Sequence, residues 1–231
     1  MLQLTKLSAH YPEQALCFTL SANAGEITAL IGPSGAGKSS LLAMIGGFSQ
    51  IDSGSLQHNE HSLLPLSPAQ RPITTLFQDN NLFWHLSVYN NIAIGLSPSL
   101  RLSSEQKTLI VQVAKQLGIS ELLARNPSSL SGGQQQRVGL ARCLARGLPI
   151  LLLDEPFSAL DPALRLELLD LLRSQTDQLQ LTVLFVTHHP EEAARVADNI
   201  VFIYNGAILE QGSTALLENP STPELAAYLG K

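Results

Sequence analysis

Gly32 to Ser39 read GPSGAGKS, and this octet decides the fold. It fits G-x-x-x-x-G-K-[ST], the pattern in which successive backbone N–H groups curl round a polyphosphate at a helix N-terminus. Gly32, Gly35 and Gly37 free the backbone for that curl, with Pro33, Ser34 and Ala36 between them. Ile27 to Ile31 form a β-patterned run immediately before the octet, and the first helix is expected to begin inside it. Strand, Gly-rich turn and helix are the context a phosphate loop requires. Lys38 is then placed to reach the β- and γ-phosphates as a point charge, Ser39 to set its hydroxyl on Mg²⁺, and Ser40 to touch the α-phosphate.

Two further stretches follow in order. ILLLDEP, Ile150 to Pro156, carries Asp154 to the end of a buried strand, where its carboxylate can hold a Mg²⁺ shell. Glu155 comes next, placed to orient and polarise a water that attacks the terminal phosphate. LSGGQ, Leu130 to Gln134, offers Ser131 as a helix N-cap and Gly132-Gly133 as a surface without side chains, so that helix amides can approach a phosphate. Ser-Gly-Gly before a helix is usually only a turn; it gains weight from the company of the other two stretches.

Composition narrows what surrounds these motifs. At 231 residues the chain modestly exceeds the usual single domain. With 45% hydrophobic and 14% charged residues it can bury a sizeable core and lacks the signature of disorder. A net charge of −5 argues against nucleic acid as the main partner, because such binding needs a basic surface. Cys17 and Cys143 have no metal-ligand spacing, and both are expected as reduced core residues. His10, His58, His61 and His85 also lack ligand spacing. Apolar runs are strand-length, well short of the roughly 20 residues of a membrane helix. The first residues, MLQLTKLSAHYP, do not read as a secretory signal, so the chain is expected at the cytoplasmic side.

The periodicity predicts further strands at Leu2 to Leu7, Ala15 to Leu20, Gly54 to Gln57, Ile73 to Phe77, Ile150 to Leu153, Thr182 to Val186 and Ile200 to Tyr204. Ala207 to Glu210 closes a late hairpin at Asn205-Gly206. Helical patterns fill Ser87 to Gly147, with amphipathic stretches at Ser104 to Leu117 and after Ser131, and the tail has room for at most two short helices. The expected class is α/β: a P-loop ATPase core with a mostly parallel sheet, an antiparallel β layer and an inserted α-helical subdomain, 1–231 forming one domain with the insert at approximately 80–147.

GPSGAGKS, LSGGQ and ILLLDEP, in that order, resemble the Walker A, signature and Walker B motifs of the nucleotide-binding subunits of ATP-binding-cassette transporters, and the resemblance spans nearly the whole chain. It implies ATP and Mg²⁺ as cofactors, and a head-to-tail homodimer in which Ser131, Gly132, Gly133 and Gln134 of one copy face the nucleotide held by the other. Further roles come only by resemblance. Gln78 in LFQDNN matches the Q-loop that senses Mg²⁺, Asp161 in SALD the D-loop at the dimer interface, and His188 in VTHH the switch histidine at the γ-phosphate; Tyr11 is placed like the aromatic that stacks on adenine. Ser40 stands where the family often has Thr, and His189 where it often has Asp.

Within that family the stretches RPITTLFQDNNLFWHLSVYNNIAIGL and LARCLARGLPILLLDEPFSALDPALR are most similar to ATP-binding subunits of bacterial thiamine importers. Importers of ferric iron, polyamines, sulfate and maltose share them in outline. The implied partners are an integral membrane permease, one of whose helices is expected to enter a groove lined by Leu82, Phe83, Trp84 and His85, and a periplasmic substrate-binding protein. The implied location is the cytoplasmic face of the inner membrane, as a peripheral protein held through the permease. A cassette ATPase of DNA repair is the rival class. It usually carries coiled-coil or zinc-binding insertions, and this chain has neither a heptad run nor room for one between its motifs.

Overall fold

In the computed structural model, which describes residues 1–11, 14–77 and 81–231, alternation along four buried strands divides the core in two. The elements run β1 (Leu2–Tyr11), β2 (Gln14–Ala22), β3 (Ile27–Ile31), α1 (Lys38–Gly46), β4 (Ser53–His58), β5 (His61–Ser62), β6 (Ile73–Leu76), α2 (Val88–Leu96), α3 (Ser104–Gln116), α4 (Gly132–Arg146) and β7 (Ile150–Asp154). They continue with α5 (Pro162–Leu179), β8 (Thr182–Val186), α6 (Pro190–Val196), β9 (Asn199–Tyr204), β10 (Ala207–Gly212) and α7 (Pro223–Tyr228). Every strand expected from periodicity is present. The two-residue β5 is an addition that no pattern announced.

The strands join in the order β5-β4-β1-β2-β10-β9-β3-β8-β7-β6. From β9 to β6 all neighbours are parallel, and β1, β2, β4 and β5 pair antiparallel. A single parallel bridge, Ala207 to Cys17, joins β10 to β2, so the antiparallel part curls over the parallel part. Parallel strands need crossovers and bury both faces, and all residues of β3, β7 and β8 are buried.

One face of these strands, with Leu30, Leu152, Leu184 and Val201, packs with Leu41, Leu42 and Ile45 of α1 and with Leu4, Phe18 and Leu20 of the antiparallel layer. The opposite face, with Ile31, Leu153, Phe185 and Phe202, packs against α2 to α6 and Leu225 of α7. Helix α1 is thus sandwiched between two β layers. Helices α2, α3 and α4 fall between β6 and β7 in sequence and share the second cluster with the sheet. Among the described residues no helix is long and apolar enough to cross a membrane.

Of the two cysteines expected in the core, one is there and one is not. Cys17 is exposed, because Leu16 and Phe18 take the inward positions of β2 and period-2 alternation turns the residue between them outward. Cys143 is buried, and burial pushes its thiol up to about 11, which leaves it protonated at neutral pH.

Arg71 holds the far end of α1. Its guanidinium is buried and donates to the carbonyls of Met44 at 2.9 Å, Ile45 at 2.6 Å and Leu66 at 3.2 Å. It meets the orphan carbonyls that every helix C-terminus exposes and complements the negative end of the helix dipole. Replacing Arg71 by Met should leave the Ile45 and Leu66 carbonyls without this donor, Met44 keeping the Gly47 N–H, at a cost of about 2 kcal/mol. For a chain of this size that lowers the melting temperature by roughly 4–8 °C in a thermal scan; an unchanged melting temperature would refute this role.

Candidate functional site

The phosphate loop leaves β3 over the backbone of β9. Gly32 has φ 144°, and a Cβ there would lie 2.1 Å from the carbonyl oxygen of Ile203. Only glycine permits that approach. The loop is then tied on its other side: Gly206, in the Asn205-Gly206 turn of the late hairpin, donates its N–H to the carbonyl of Ala36 at 3.1 Å. Gln14, with its amide oriented to suit its neighbours, donates to the carbonyl of Gly35 at 3.1 Å and accepts from the N–H of Gly206 at 2.7 Å. Tyr11 pairs with Gln14 across the β1–β2 ladder, its ring is exposed, and its hydroxyl donates to Ser49 Oγ at 3.2 Å.

Gly37 forms the N-cap of α1 and offers no side-chain oxygen to the first turn, so those amides stay available to an anion. Lys38 Nζ donates to the carbonyls of Gly32 and Pro33, both at 2.8 Å. An ammonium has three N–H donors, which leaves one for a phosphate oxygen. Burial lowers the Lys38 pKa, while the nearby charges of Glu155 and Asp154 oppose that shift.

Strand β7 delivers the carboxylates. Asp154 is 7% exposed and accepts a hydrogen bond from Ser39 Oγ at 3.1 Å. Burial raises its pKa, and the Ser39 hydrogen bond works against the rise. Glu155 turns at φ 48°, outside the strand region, and its Oε1 lies 2.9 Å from His188 Nε2. The structure therefore brings Lys38, Ser39, Asp154, Glu155 and His188 to one place from separate stretches of the chain. Among the described residues no group of three His, Cys, Asp or Glu side chains forms a metal cage. Ser39 and Asp154 supply two hard oxygens, which suits Mg²⁺ because that ion keeps waters and phosphate oxygens for its remaining positions.

The 131–134 turn stands apart: among the described residues no hydrogen bond joins it to the phosphate loop. Ser131 caps α4 by accepting from Gln134 N at 3.3 Å, and Gln134 Oε1 accepts from Ser131 N at 3.0 Å. Gln134 thus spends its side chain on a capping box. The backbones of Gly132 and Gly133 lie close to Ala159 and Leu160. Asp161 is the N-cap of α5, accepting from Leu164 N at 3.0 Å. Ser34 is exposed on the loop, and Ser40 is half-buried in the first turn of α1. Gln78 lies outside the described residues.

Three residues of this neighbourhood were missed by the sequence reading. Gln14 is one. Glu192, 4% exposed, accepts from Thr187 Oγ1 at 2.5 Å and faces Arg165 NH1 at 3.4 Å, and Thr187 Oγ1 accepts in turn from His189 N at 3.0 Å, which braces the loop carrying His188. The third is Gln136, whose amide reaches Ser158 and Ala159. Gln14 and Gln136 meet backbone atoms or distant residues, and Glu192 meets the nearby Thr187 and the distant Arg165, a pairing that no local motif flags.

Between β6, α2 and α4, a cleft of about 500 Å³ is lined by Phe77, Asn81, Phe83, Ile94, Leu96 and Arg142. Of the four residues expected to line such a groove, Phe83 does so. Leu82 packs into the core instead, and Trp84 stands 58% exposed.

The Asp154 shift carries a signed consequence. A carboxyl whose native pKa exceeds its unfolded value binds more protons when folded, so stability falls as pH rises from the unfolded value through the native one. Asp154→Asn should therefore melt no lower than the parent at pH 7 without nucleotide, yet lose the Mg²⁺-dependent part of the shift produced by ATP. A lower melting temperature in the absence of ligand would contradict this.

Comparison with known proteins agrees with this geometry. A family model described as ABC transporter matches residues 17–158. The thiamine import ATP-binding protein ThiQ of Photobacterium profundum is 49% identical over 240 residues, covering 100% of both chains. Its counterpart from Photorhabdus laumondii is 50% identical over 230 residues, covering 100% of this chain and 97% of the relative. A dimeric bacterial ABC transporter cassette superposes with TM-score 0.84 at 28% identity, covering 93% of this chain and 99% of that one. A dimeric cassette in a post-hydrolysis state bound to ADP and Pi gives TM-score 0.83 at 27% identity, with the same coverage.

Proposed function

Because the chain belongs to the ABC transporter family, we propose that it is the ATP-hydrolysing subunit of a membrane importer, and that thiamine and its phosphates are the imported class. The hydrolytic part rests on one observation: Glu155, held by His188 at 2.9 Å, stands beside Lys38 and the Ser39–Asp154 pair at the mouth of the phosphate loop. The thiamine part rests on full-length identity to thiamine import ATP-binding proteins.

The loop amides and the remaining N–H of Lys38 bind the phosphates, and Tyr11 offers its exposed ring to the base. Ser39 and Asp154 would hold Mg²⁺, which when bound would neutralise charge on the terminal phosphates. Glu155 accepts the proton of the attacking water, and His188 fixes the direction of that carboxylate and faces the γ-phosphate. Gln78 is assigned to sensing the metal.

Two copies meet head to tail. Ser131 uses its lone pair on Gln134 N and keeps its O–H proton for the γ-phosphate bound by the other copy. Gly132 and Gly133 allow that approach, and Asp161 faces the same interface. The cleft at Phe77, Phe83 and Leu96 takes a helix of the permease, which brings this subunit to the cytoplasmic face of the inner membrane. A periplasmic binding protein selects the solute on the far side.

The test replaces the resident copy in source cells with the parent chain or with Glu155→Gln and follows uptake of labelled thiamine at limiting concentration. The substitution should preserve ATP binding and cut turnover and uptake by about 10²-fold or more, the scale of a lost general base. Turnover near the parent level would remove Glu155 from its role. Loss of turnover without any change in thiamine uptake would leave the ATPase and discard the substrate.

A further inference from the structure

Helix α4 carries Ser131 at its first turn, and one turn further on Gln136 is 3% exposed. Its amide is used at both ends. Nε2 donates to Ser158 Oγ at 3.2 Å, and Oε1 accepts from Ala159 N at 3.2 Å. Ser158 Oγ in turn donates to the backbone carbonyl of Glu155 at 3.1 Å. The same stretch is packed under the start of the helix: a Cβ on Gly133 would lie 2.8 Å from Leu160 Cδ2. A chain of two hydrogen bonds thus connects the helix bearing one phosphate-reading surface to the residue that activates water at the other.

We infer that Gln136 is a positioning residue that couples the two ATP sites through a single chain, relaying engagement of Ser131 with the partner's nucleotide to the Glu155 turn of its own site. The inference rests on the head-to-tail reading above. Glu155 sits at φ 48°, a conformation that costs a non-glycine residue energy unless its surroundings hold it. Ser158, bonded to the Glu155 carbonyl and steadied by Gln136, is part of that hold. Any rotation or shift of α4 when Ser131 meets a phosphate pulls on Ser158 and Ala159 together, and so changes where the Glu155 carboxylate points. The amide fits this task because it is donor and acceptor at once, so it follows the segment on two atoms instead of one.

The test compares the full-length parent with Gln136→Leu, which removes both amide hydrogen bonds at similar volume, Ser158→Ala, which removes the hydroxyl that joins Gln136 to the Glu155 carbonyl and leaves the Gln136–Ala159 bond in place, and the double variant. Steady-state hydrolysis is measured against ATP concentration, nucleotide affinity by equilibrium titration, and melting temperature by thermal scan. The parent should hydrolyse ATP with a Hill coefficient near 2, the ceiling for two coupled sites. Each single variant should lower kcat by about 10-fold and bring the Hill coefficient toward 1 with affinity within about 2-fold of the parent, and the double variant should lose little more than either single one. Ser158 is exposed, so its variant tests the relay even if Gln136→Leu folds poorly. Unchanged kcat and Hill coefficient in Ser158→Ala overturn the relay, as do losses in which affinity and melting temperature fall together. A parent that hydrolyses ATP without cooperativity removes the head-to-tail reading and the relay with it.

Discussion

The contact on which the site depends is backbone against backbone: Gly32 lies so close to the Ile203 carbonyl that no side chain fits between them. The phosphate loop therefore cannot ride up on side chains as it leaves β3. It is seated on the parallel sheet, and α1 starts at a set depth between the two β layers, where Leu41, Leu42 and Ile45 fill the space over Leu30, Leu152 and Leu184. The late hairpin then closes the loop from the side through Gly206, and Gln14 from the antiparallel layer through Gly35. The late hairpin β9–β10 and the start of β2, both distant from it in sequence, thus hold one loop. That is the preorganisation a polyphosphate site needs, since amides aimed in advance spend no free energy on turning at the moment of binding.

Burial then acts on charges of both signs. It lowers the pKa of Lys38 and raises that of Asp154. The two answer it differently. Lys38 donates to carbonyls of the loop itself, whereas Asp154 has the Ser39 hydroxyl as its bonded partner among the described residues. Burial still outweighs the opposing charges at both groups, and for the carboxylate a divalent cation beside Ser39 is the chemistry that would offset it.

Most of the sheet was legible because the information is local: period-2 alternation marked the strands, and the contiguous motif at Gly32 to Ser39 announced both a tight turn and a helix start. The amphipathic stretch at Ser104 to Leu117 became α3 almost residue for residue. Arg71, Gln136 and Glu192 were illegible for the opposite reason. Their partners are carbonyls, amides and hydroxyls brought near only by the completed fold, such as Met44 for Arg71 and Ser158 for Gln136. Cys17 shows a related failure, for its composition class suggested the core while its strand register placed it outside. Leu82 shows the converse, since a cluster of large apolar residues after the Q-loop stretch divided between core and surface.

The two helix N-termini that the motifs identified are built differently, and the difference bears on how a composite site works. Helix α1 begins at a glycine with no cap, so its first-turn amides remain free of side-chain partners, and the loop before it is held in place on several sides. Helix α4 begins with a closed capping box, Ser131 and Gln134 satisfying each other's amides. A capped terminus has much weaker demand for an anion than an uncapped one. The α4 surface is therefore poorly suited to capture a free nucleotide from solution. What it retains is one hydroxyl proton and two glycines' worth of clearance, which is what the proposed reading of a phosphate presented by α1 of another chain calls for. On the proposed head-to-tail reading this asymmetry would give the cycle an order: nucleotide settles first on the phosphate loop, and only then does the second surface have something to read.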